Sequence, residues 1–422
     1  MYEARRPSMT TKPNIEILTE RSKLIAGTPQ TVDVLIRLTP PDIETSGSIR
    51  PKLNIGVALD RSGSMAGPKM NQAREAAKYC VDQLLSTDIF SAVIFDDQVD
   101  VLFTSQRAAD KAMLKRGLDR IEARNSTALH EGWVKTGLQV SEQLDRDAVN
   151  RILLITDGQA NVGETNIDRI VSQAKETAAR GVSTTTIGIG ADFNEDLLMP
   201  MAEAGQGNAW HVQEPQDMLK IFETELHGLV KQFGHTVRLN IRPAEGARVI
   251  DVVNDFETDG AGAHILPNMI AGSPLEVVVR LDVSGNTSGE RLATFDISFV
   301  RQETGLAESL SAVFASEFVG REIVEALPEN VDVVRAVQLL MNARARREAM
   351  SQLDAGNFDA ARATMHAAVG STQVLFSMTP SPQLRAELDD LTSVEGSLSS
   401  RQNDAMSRKQ MAYGREARRK GR

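Results

Sequence analysis

The sequence predicts an α/β protein built on a doubly wound, mostly parallel sheet, followed by an antiparallel β-sandwich and a C-terminal helical segment. Three observations carry that prediction. Between Leu53 and Phe233, short apolar or β-branched runs alternate with stretches of helical period. After Phe233 the period drops to two. From Ser316 onward it returns to helical spacing.

The elements follow in order. Residues 1–13 are expected to be a disordered N-terminus. Ile15–Leu18 and Thr31–Leu38 read as strands separated by Gly27-Thr28-Pro29. Val32, Val34, Ile36 and Leu38 alternate, the mark of a half-buried strand. Residues 14–45 are therefore assigned to the β-sandwich, which makes the α/β domain an insertion within it. Pro40-Pro41 and Ser46-Gly47-Ser48 mark a linker. The α/β domain is placed at 50–233, with strands at 53–59, 88–95, 98–103, 151–156, 183–189 and 209–212. Its helices are placed at 69–86, 107–121, 129–144, 166–180, 194–204 and 215–233. Ile152–Ile155 and Thr185–Ile189 are nearly continuous apolar or β-branched runs, as parallel strands covered on both faces require.

The β-sandwich is placed at 235–318. Thr236–Ile241, Ala247–Val253, Leu275–Leu281 and Ala293–Val300 alternate, with turns at Asp259-Gly260 and Ser284-Gly285-Asn286. The helical domain is placed at 319–400, with helices over Val331–Leu353, Phe358–Val369 and from Gln383 to Leu398. The turn through Ala355-Gly356-Asn357 resembles a tetratricopeptide hairpin, but a solenoid needs several such units. A helical cap on the β domain is the simpler reading. Residues 401–422 are basic and expected to be a disordered tail.

Composition narrows the class. A chain of 422 residues has room for two or three domains. Hydrophobic residues make up 41% and charged residues 25%, an ordinary globular balance. No stretch approaches the roughly 20 apolar residues of a membrane span. Met1 to Lys23 is polar, with no apolar signal region. Cys80 is the single cysteine and falls on a helix face, so it is read as buried and inert. These features lead to a cytoplasmic expectation. Net charge is −10, but the last 22 residues carry +6 and the first 400 therefore −16. That tail lacks aromatic interleaving and any nucleic-acid signature, so no nucleic-acid partner is expected.

The chemistry concentrates in three places. Asp60-Arg61-Ser62-Gly63-Ser64 follows the strand Leu53–Leu59 and offers a carboxylate and two hydroxyls at alternate positions. Thr127 lies in Asn-Ser-Thr-Ala-Leu, and Asp157 follows Ile152–Ile155 in Thr-Asp-Gly. Hard oxygens of this kind suit Mg²⁺, Mn²⁺ or Ca²⁺. Both aspartates fall at the carboxyl ends of parallel strands, where doubly wound sheets bind ligands.

These five residues, in this order, resemble the metal-ion-dependent adhesion site (MIDAS) of von Willebrand factor A (VWA) domains. The resemblance covers about residues 50 to 233. It departs at Asn125-Ser126, where the family often has glycines. With its β-rich module, the whole chain resembles bacterial VWA proteins and, distantly, inter-alpha-trypsin inhibitor heavy chains. The resemblance implies a metal site of Asp60, Ser62, Ser64, Thr127 and Asp157. Ser62 and Ser64 would bind directly, Thr127 directly or through water, and the two aspartates largely through water. Mg²⁺ is the expected ion, with Mn²⁺ or Ca²⁺ as alternatives. The implied partner is a protein that presents an Asp or Glu to the metal.

A non-catalytic, metal-dependent protein-binding module is therefore the leading expectation. No nucleophile elbow, P-loop or clustered His/Cys is found. Two alternatives follow from the family or from the metal. The chain could be an adaptor for a separate MoxR-type AAA+ ATPase, since bacterial relatives resemble partners of such machines. It could be a Mg²⁺-dependent phosphoester hydrolase, although no general base or phosphate-cradling loop accompanies the aspartates. A chloride-channel accessory role, a label some bacterial homologues carry, would need a separate pore. Around the site, Arg61 is read either as a partner contact or as solvated. Asp192 is placed at the end of another parallel strand near the same face as the site, with capping of the helix from Asn194 as the favoured role. His130 is read as a capping or surface residue, and Asp96-Asp97 as a hairpin turn.

Overall fold

A computed structural model describes residues 12–42, 50–124, 126–158, 162–284, 291–400 and 404–421. They divide into two compact units, one of residues 50–232 with 302–305 and one of the remainder. Residues 1–11, most of the terminus expected to be disordered, lie outside the described residues, as do the linker Ser46-Gly47-Ser48, Asn125 and the turn residues 285–290. The chain enters through strands Asn14–Thr19 (β1), Lys23–Ile25 (β2) and Gln30–Thr39 (β3).

The α/β unit contains strands Leu53–Asp60 (β4), Ile89–Phe95 (β5), Val99–Arg107 (β6), Val149–Thr156 (β7), Ser183–Ile189 (β8) and Ala209–Val212 (β9). Its helices are Pro68–Gln83 (α1), Lys111–Leu118 (α2), Leu129–Glu142 (α3), Ile167–Ala179 (α4), Glu195–Ala204 (α5) and Met218–Val230 (α6). The sheet order is β6-β5-β4-β7-β8-β9, parallel throughout except for the β5–β6 hairpin. β4 and β7 are buried along their whole length, which explains the apolar runs 55–59 and 152–155 within them. Successive strands add to one side of β4 and then to the other, so the winding reverses between β4 and β7. In doubly wound sheets the loops leaving such a pair diverge, and ligands bind in the crevice between them.

Close packing sets the site's back wall. A Cβ on Gly56 of β4 would stand 2.5 Å from Val140 of α3, and one on Gly132 of α3 would stand 2.4 Å from the Phe95 ring. Both glycines let α3 lie tight against β4 and β5. The residues just before α3, among them Thr127, are thereby held at the crevice. Cys80 is fully buried in this core, and burial pushes its thiol up to about 12.

The second unit adds Gln232–Pro243 (β10), Ala247–Val252 (β11), His264–Ile265 (β12), Met269–Ile270 (β13), Leu275–Val283 (β14), Ala293–Arg301 (β15), Ala307–Phe314 (β16) and Glu317–Val319 (β17). One sheet runs β1-β3-β14-β11 and the other β12-β10-β15-β16, with β13 also on β10. β3 pairs with β14 from Leu38–Leu275 to Gln30–Val283. One sheet thus joins strands from before and after the α/β segment. β16, which the periodicity reading passed over, completes the second sheet beside β15.

The C-terminal helices are Arg321–Ala326 (α7), Val331–Asp354 (α8), Phe358–Met378 (α9), Pro382–Ser400 (α10) and Asp404–Arg419 (α11). α8 sets Val333, Ala336 and Leu340 against Leu35 and Val278, which is why β3 and β14 each carry a buried apolar residue on the face that is otherwise charged or polar. The expectation of a disordered basic tail is corrected: Asp404–Arg419 is a helix with Met411 and Ala412 buried. Its charges are paired internally rather than solvated. Arg418 Nε bonds Glu387 at 2.6 Å, Arg419 Nε bonds Glu416 at 3.0 Å, and Arg408 Nε bonds Asp354 at 3.1 Å.

Candidate metal centre

At the switch point, β4 and β7 end side by side and each delivers a carboxylate. Asp60 closes β4, Asp157 follows β7, and both are fully buried. Asp60 Oδ1 accepts from the Ser62 N–H at 2.7 Å, and Oδ2 accepts from the Thr156 hydroxyl at 2.5 Å. The backbone is still extended at Ser62 and then turns through the 3₁₀ segment Gly63–Met65. That turn brings the Ser62 and Ser64 hydroxyls to 3.1 Å. Ser64 donates to Asp157 Oδ1 at 2.7 Å, and Lys69 Nζ donates to Asp157 Oδ2 at 2.5 Å.

Thr127 reaches the same place from the loop before α3. A Cβ built on Gly158 would lie 3.2 Å from Thr127 Oγ1 and 3.6 Å from Asp60 Oδ2. The five residues singled out in the sequence therefore line one crevice. Gly158 leaves a space beside two of them.

The donor set is two carboxylates and three hydroxyls, the chemistry of a hard divalent cation. Among the described residues, no group of three or more His, Cys, Asp or Glu is placed to hold a metal, so hydroxyls would have to supply much of any shell here. Charge is also short. Two buried carboxylates share one ammonium, and Asp60 is bonded to no cation among the described residues. Burial above all, with repulsion from Asp157, pushes the Asp60 carboxyl up to about 6 against the pull of Thr156 and Ser62. The unmet charge, the hard donors and the space at Gly158 all fit a divalent ion.

A second layer braces the loops. Arg61 is neither solvated nor offered outward, as its place between the two ligand candidates suggested. It is 7% exposed, with its guanidinium 3.1 Å from Asp96 and 2.5 Å from Asp100. Asp96 also accepts from Arg124 Nε at 2.5 Å and from the Gln98 N–H at 2.8 Å. Burial alone would raise the Asp96 carboxyl, but the Gln98 amide, Arg124 and Arg61 outweigh it and hold it low. The Asp96 carbonyl accepts from Ala128 N–H at 2.6 Å, and the Arg61 carbonyl accepts from Arg124 N–H at 2.6 Å. Asp96 thus ties the Asp60–Ser64 loop to the Thr127 loop. Sequence reasoning saw only a hairpin turn there, because the charges it binds are far away along the chain.

Two other readings resolve simply, and one residue was not foreseen. Asn194 caps α5 through its own side chain, accepting from Leu197 N–H at 3.2 Å, so Asp192 is not the cap. His130 bonds Gln173 at 2.6 Å. Lys69 was missed, although its place in the first turn of the helix that follows the Asp60–Ser64 loop puts it within reach of that loop.

A doubly wound sheet with oxygen donors gathered at its switch point defines the class of this α/β domain. Residues 54–224 match the family model of the von Willebrand factor type A domain, and this segment is a VWA domain. An uncharacterized protein of Synechocystis is 30% identical over 173 residues, covering 41% of this chain and 40% of that protein. Mouse inter-alpha-trypsin inhibitor heavy chain H2 is 28% identical over 250 residues, covering 57% of this chain and 25% of that protein. The chain thus spans less than half the length of these curated relatives. A solved von Willebrand factor type A structure from Catenulispora acidiphila has TM-score 0.69 at 19% identity, covering 92% of this chain and 91% of that one. The ArnB paralog VWA2 of Sulfolobus acidocaldarius has TM-score 0.57 at 17% identity, covering 95% and 97%. Both share the fold. Among the described residues no helix is long and apolar enough to cross a membrane.

Proposed function

We propose that this chain is a metal-dependent protein-binding module whose VWA crevice holds a divalent cation through Asp60, Ser62, Ser64, Thr127 and Asp157. The observation that carries the reading is the continuous bonded chain Thr156–Asp60–Ser62–Ser64–Asp157, with Thr127 beside it across Gly158. Mg²⁺ is the proposed ion, since hydroxyls and retained water satisfy its octahedral demand. When bound, the ion offers an electrophilic position to a carboxylate. Asp60, Asp157 and the hydroxyls of Ser62, Ser64 and Thr127 would hold it, the aspartates directly or through water. A partner's Asp or Glu is then the ligand such a face selects.

Binding rather than turnover is the reading, because both carboxylates of the site are assigned to the ion, which leaves neither to serve as a general base. The test is capture from lysate with Mg²⁺, with EDTA, and with Asp60→Ala/Ser62→Ala. A partner retained only by the wild type with Mg²⁺ is the expected outcome. Retention indifferent to metal and to both substitutions would sink the proposal.

A further inference from the structure

One residue in the crevice is unaccounted for by the binding reading. Lys69 is in the first turn of α1, one-quarter exposed, and its ammonium sits on Asp157 Oδ2 at 2.5 Å. Its side chain passes Gly190 at the end of β8, where a Cβ would stand 3.7 Å from Lys69 Cε. Ser64 holds the other oxygen of Asp157. Lys69 is thus a positive charge supplied by the chain at the carboxylate a metal would use.

We infer that Lys69 is the site's resting counter-cation and exchanges with the divalent ion at Asp157; this rests on the metal-binding reading above. The grounds are electrostatic. Asp157 is fully buried, and a buried carboxylate without a partner is strongly destabilising. Lys69 relieves that in the metal-free chain. An ammonium and a divalent ion on the same carboxylate repel each other at short range, and burial weakens screening between them. Metal entry therefore requires Lys69 to release Oδ2. Lys69 sets the metal concentration at which the site fills, and it keeps the empty site folded. Its partial exposure gives the released ammonium a path to solvent at the crevice mouth.

Two substitutions of the full chain test this. Lys69→Met removes the charge and keeps the chain length, and Lys69→Gln removes the charge while keeping a donor. Each is compared with wild type in two measurements, Mn²⁺ affinity by titration calorimetry and melting temperature in EDTA. Both variants are expected to bind Mn²⁺ about tenfold or more tightly, because a like charge has been removed from the site. Both are expected to melt lower in EDTA, with the loss recovered by Mn²⁺. If wild type binds Mn²⁺ and both variants bind equally or more weakly, the exchange is overturned and the metal site stands. If none of the three binds Mn²⁺, the metal-site reading itself falls and the exchange falls with it.

Discussion

The carboxylate of Asp96 accepts from Arg124 Nε at 2.5 Å, while its own main-chain carbonyl accepts from the Ala128 N–H at 2.6 Å. One residue at the tip of the β5–β6 hairpin therefore grips both ends of the segment that carries Thr127. Its carboxylate also lies 3.1 Å from Arg61, next to Asp60. Asp96→Asn removes the buried carboxylate shared by Arg61 and Arg124 and leaves Arg61 with Asp100 alone, and is expected to cost roughly 1–3 kcal/mol in urea unfolding. Arg124 is half exposed, so Arg124→Ala should leave the unfolding midpoint close to wild type. It should nonetheless weaken Mn²⁺ binding, because the Thr127 loop loses its tether. Unchanged Mn²⁺ affinity in Arg124→Ala would remove the bracing role.

Asp60 gives the metal-free chain a distinctive pH response. Its folded carboxyl titrates at about 6, above the usual 3.8 of an aspartate. Between those values the folded state binds more protons than the unfolded state, so stability falls as pH rises across that interval. Asp60→Asn keeps the hydrogen-bonding shape and removes the charge. In EDTA at pH 7.5 it should be more stable than wild type by about 1–3 kcal/mol, a difference that shrinks toward pH 4. It should also show no stabilisation by Mg²⁺. A variant less stable than wild type at pH 7.5 in EDTA would contradict the buried, charge-deficient description of Asp60.

Gly158 tests the space in the crevice. Its added methyl would lie 3.2 Å from Thr127 Oγ1, tighter than ordinary contact, yet its backbone is not in the left-handed region. Gly158→Ala should leave the melting temperature in EDTA within a few degrees of wild type, since the neighbours shift only slightly. The Mn²⁺-induced rise in melting temperature should shrink or vanish. A full Mn²⁺ response in Gly158→Ala would mean that this space is not used.

The helical segment has its own buried charge cluster. Glu387 accepts from Arg346 Nη1 at 2.7 Å and from Arg418 Nε at 2.6 Å, and both Arg346 and Glu387 are fully buried. Burial alone would raise the Glu387 carboxyl, but Arg346 and Arg418 outweigh it and hold it below its usual value of 4.5. Its contribution is therefore present above about pH 4.5 and is lost as pH falls through the lower folded value. Glu387→Gln should destabilise by roughly 3–5 kcal/mol at pH 7, read by urea unfolding, with the gap narrowing in acid. A gap that stays constant down to pH 3 would show that the charge is not the source of the loss.

Much of the α/β unit is legible in the order of its residues alone. The strand–helix alternation from Leu53 to Phe233 identifies a doubly wound sheet, because a parallel strand covered on both faces is buried at every position, as β4 and β7 are, and so carries a largely apolar run such as Ile152–Ile155. The period-two run in β3 likewise points to a half-buried strand. It could not say that Leu35, on the other face, would be covered by α8. Asp60, Ser62, Ser64, Thr127 and Asp157 stand out because each is a hard oxygen at a strand end or in a polar loop, a placement that local sequence records.

Tertiary structure alone decided the rest, and the reason is the same in each case. Asp96, Arg61 and Arg124 are ordinary charged residues until the β5–β6 hairpin is laid beside two loops. Lys69 reads as a helix-surface lysine until the switch point brings Asp157 beside the first turn of α1. The basic terminus reads as solvated until Glu387 and Asp354 meet its arginines. Local periodicity reports which face of an element is buried. Pairing of charges distant in sequence depends on how those elements pack, and that pairing determines which of the charges are available for binding.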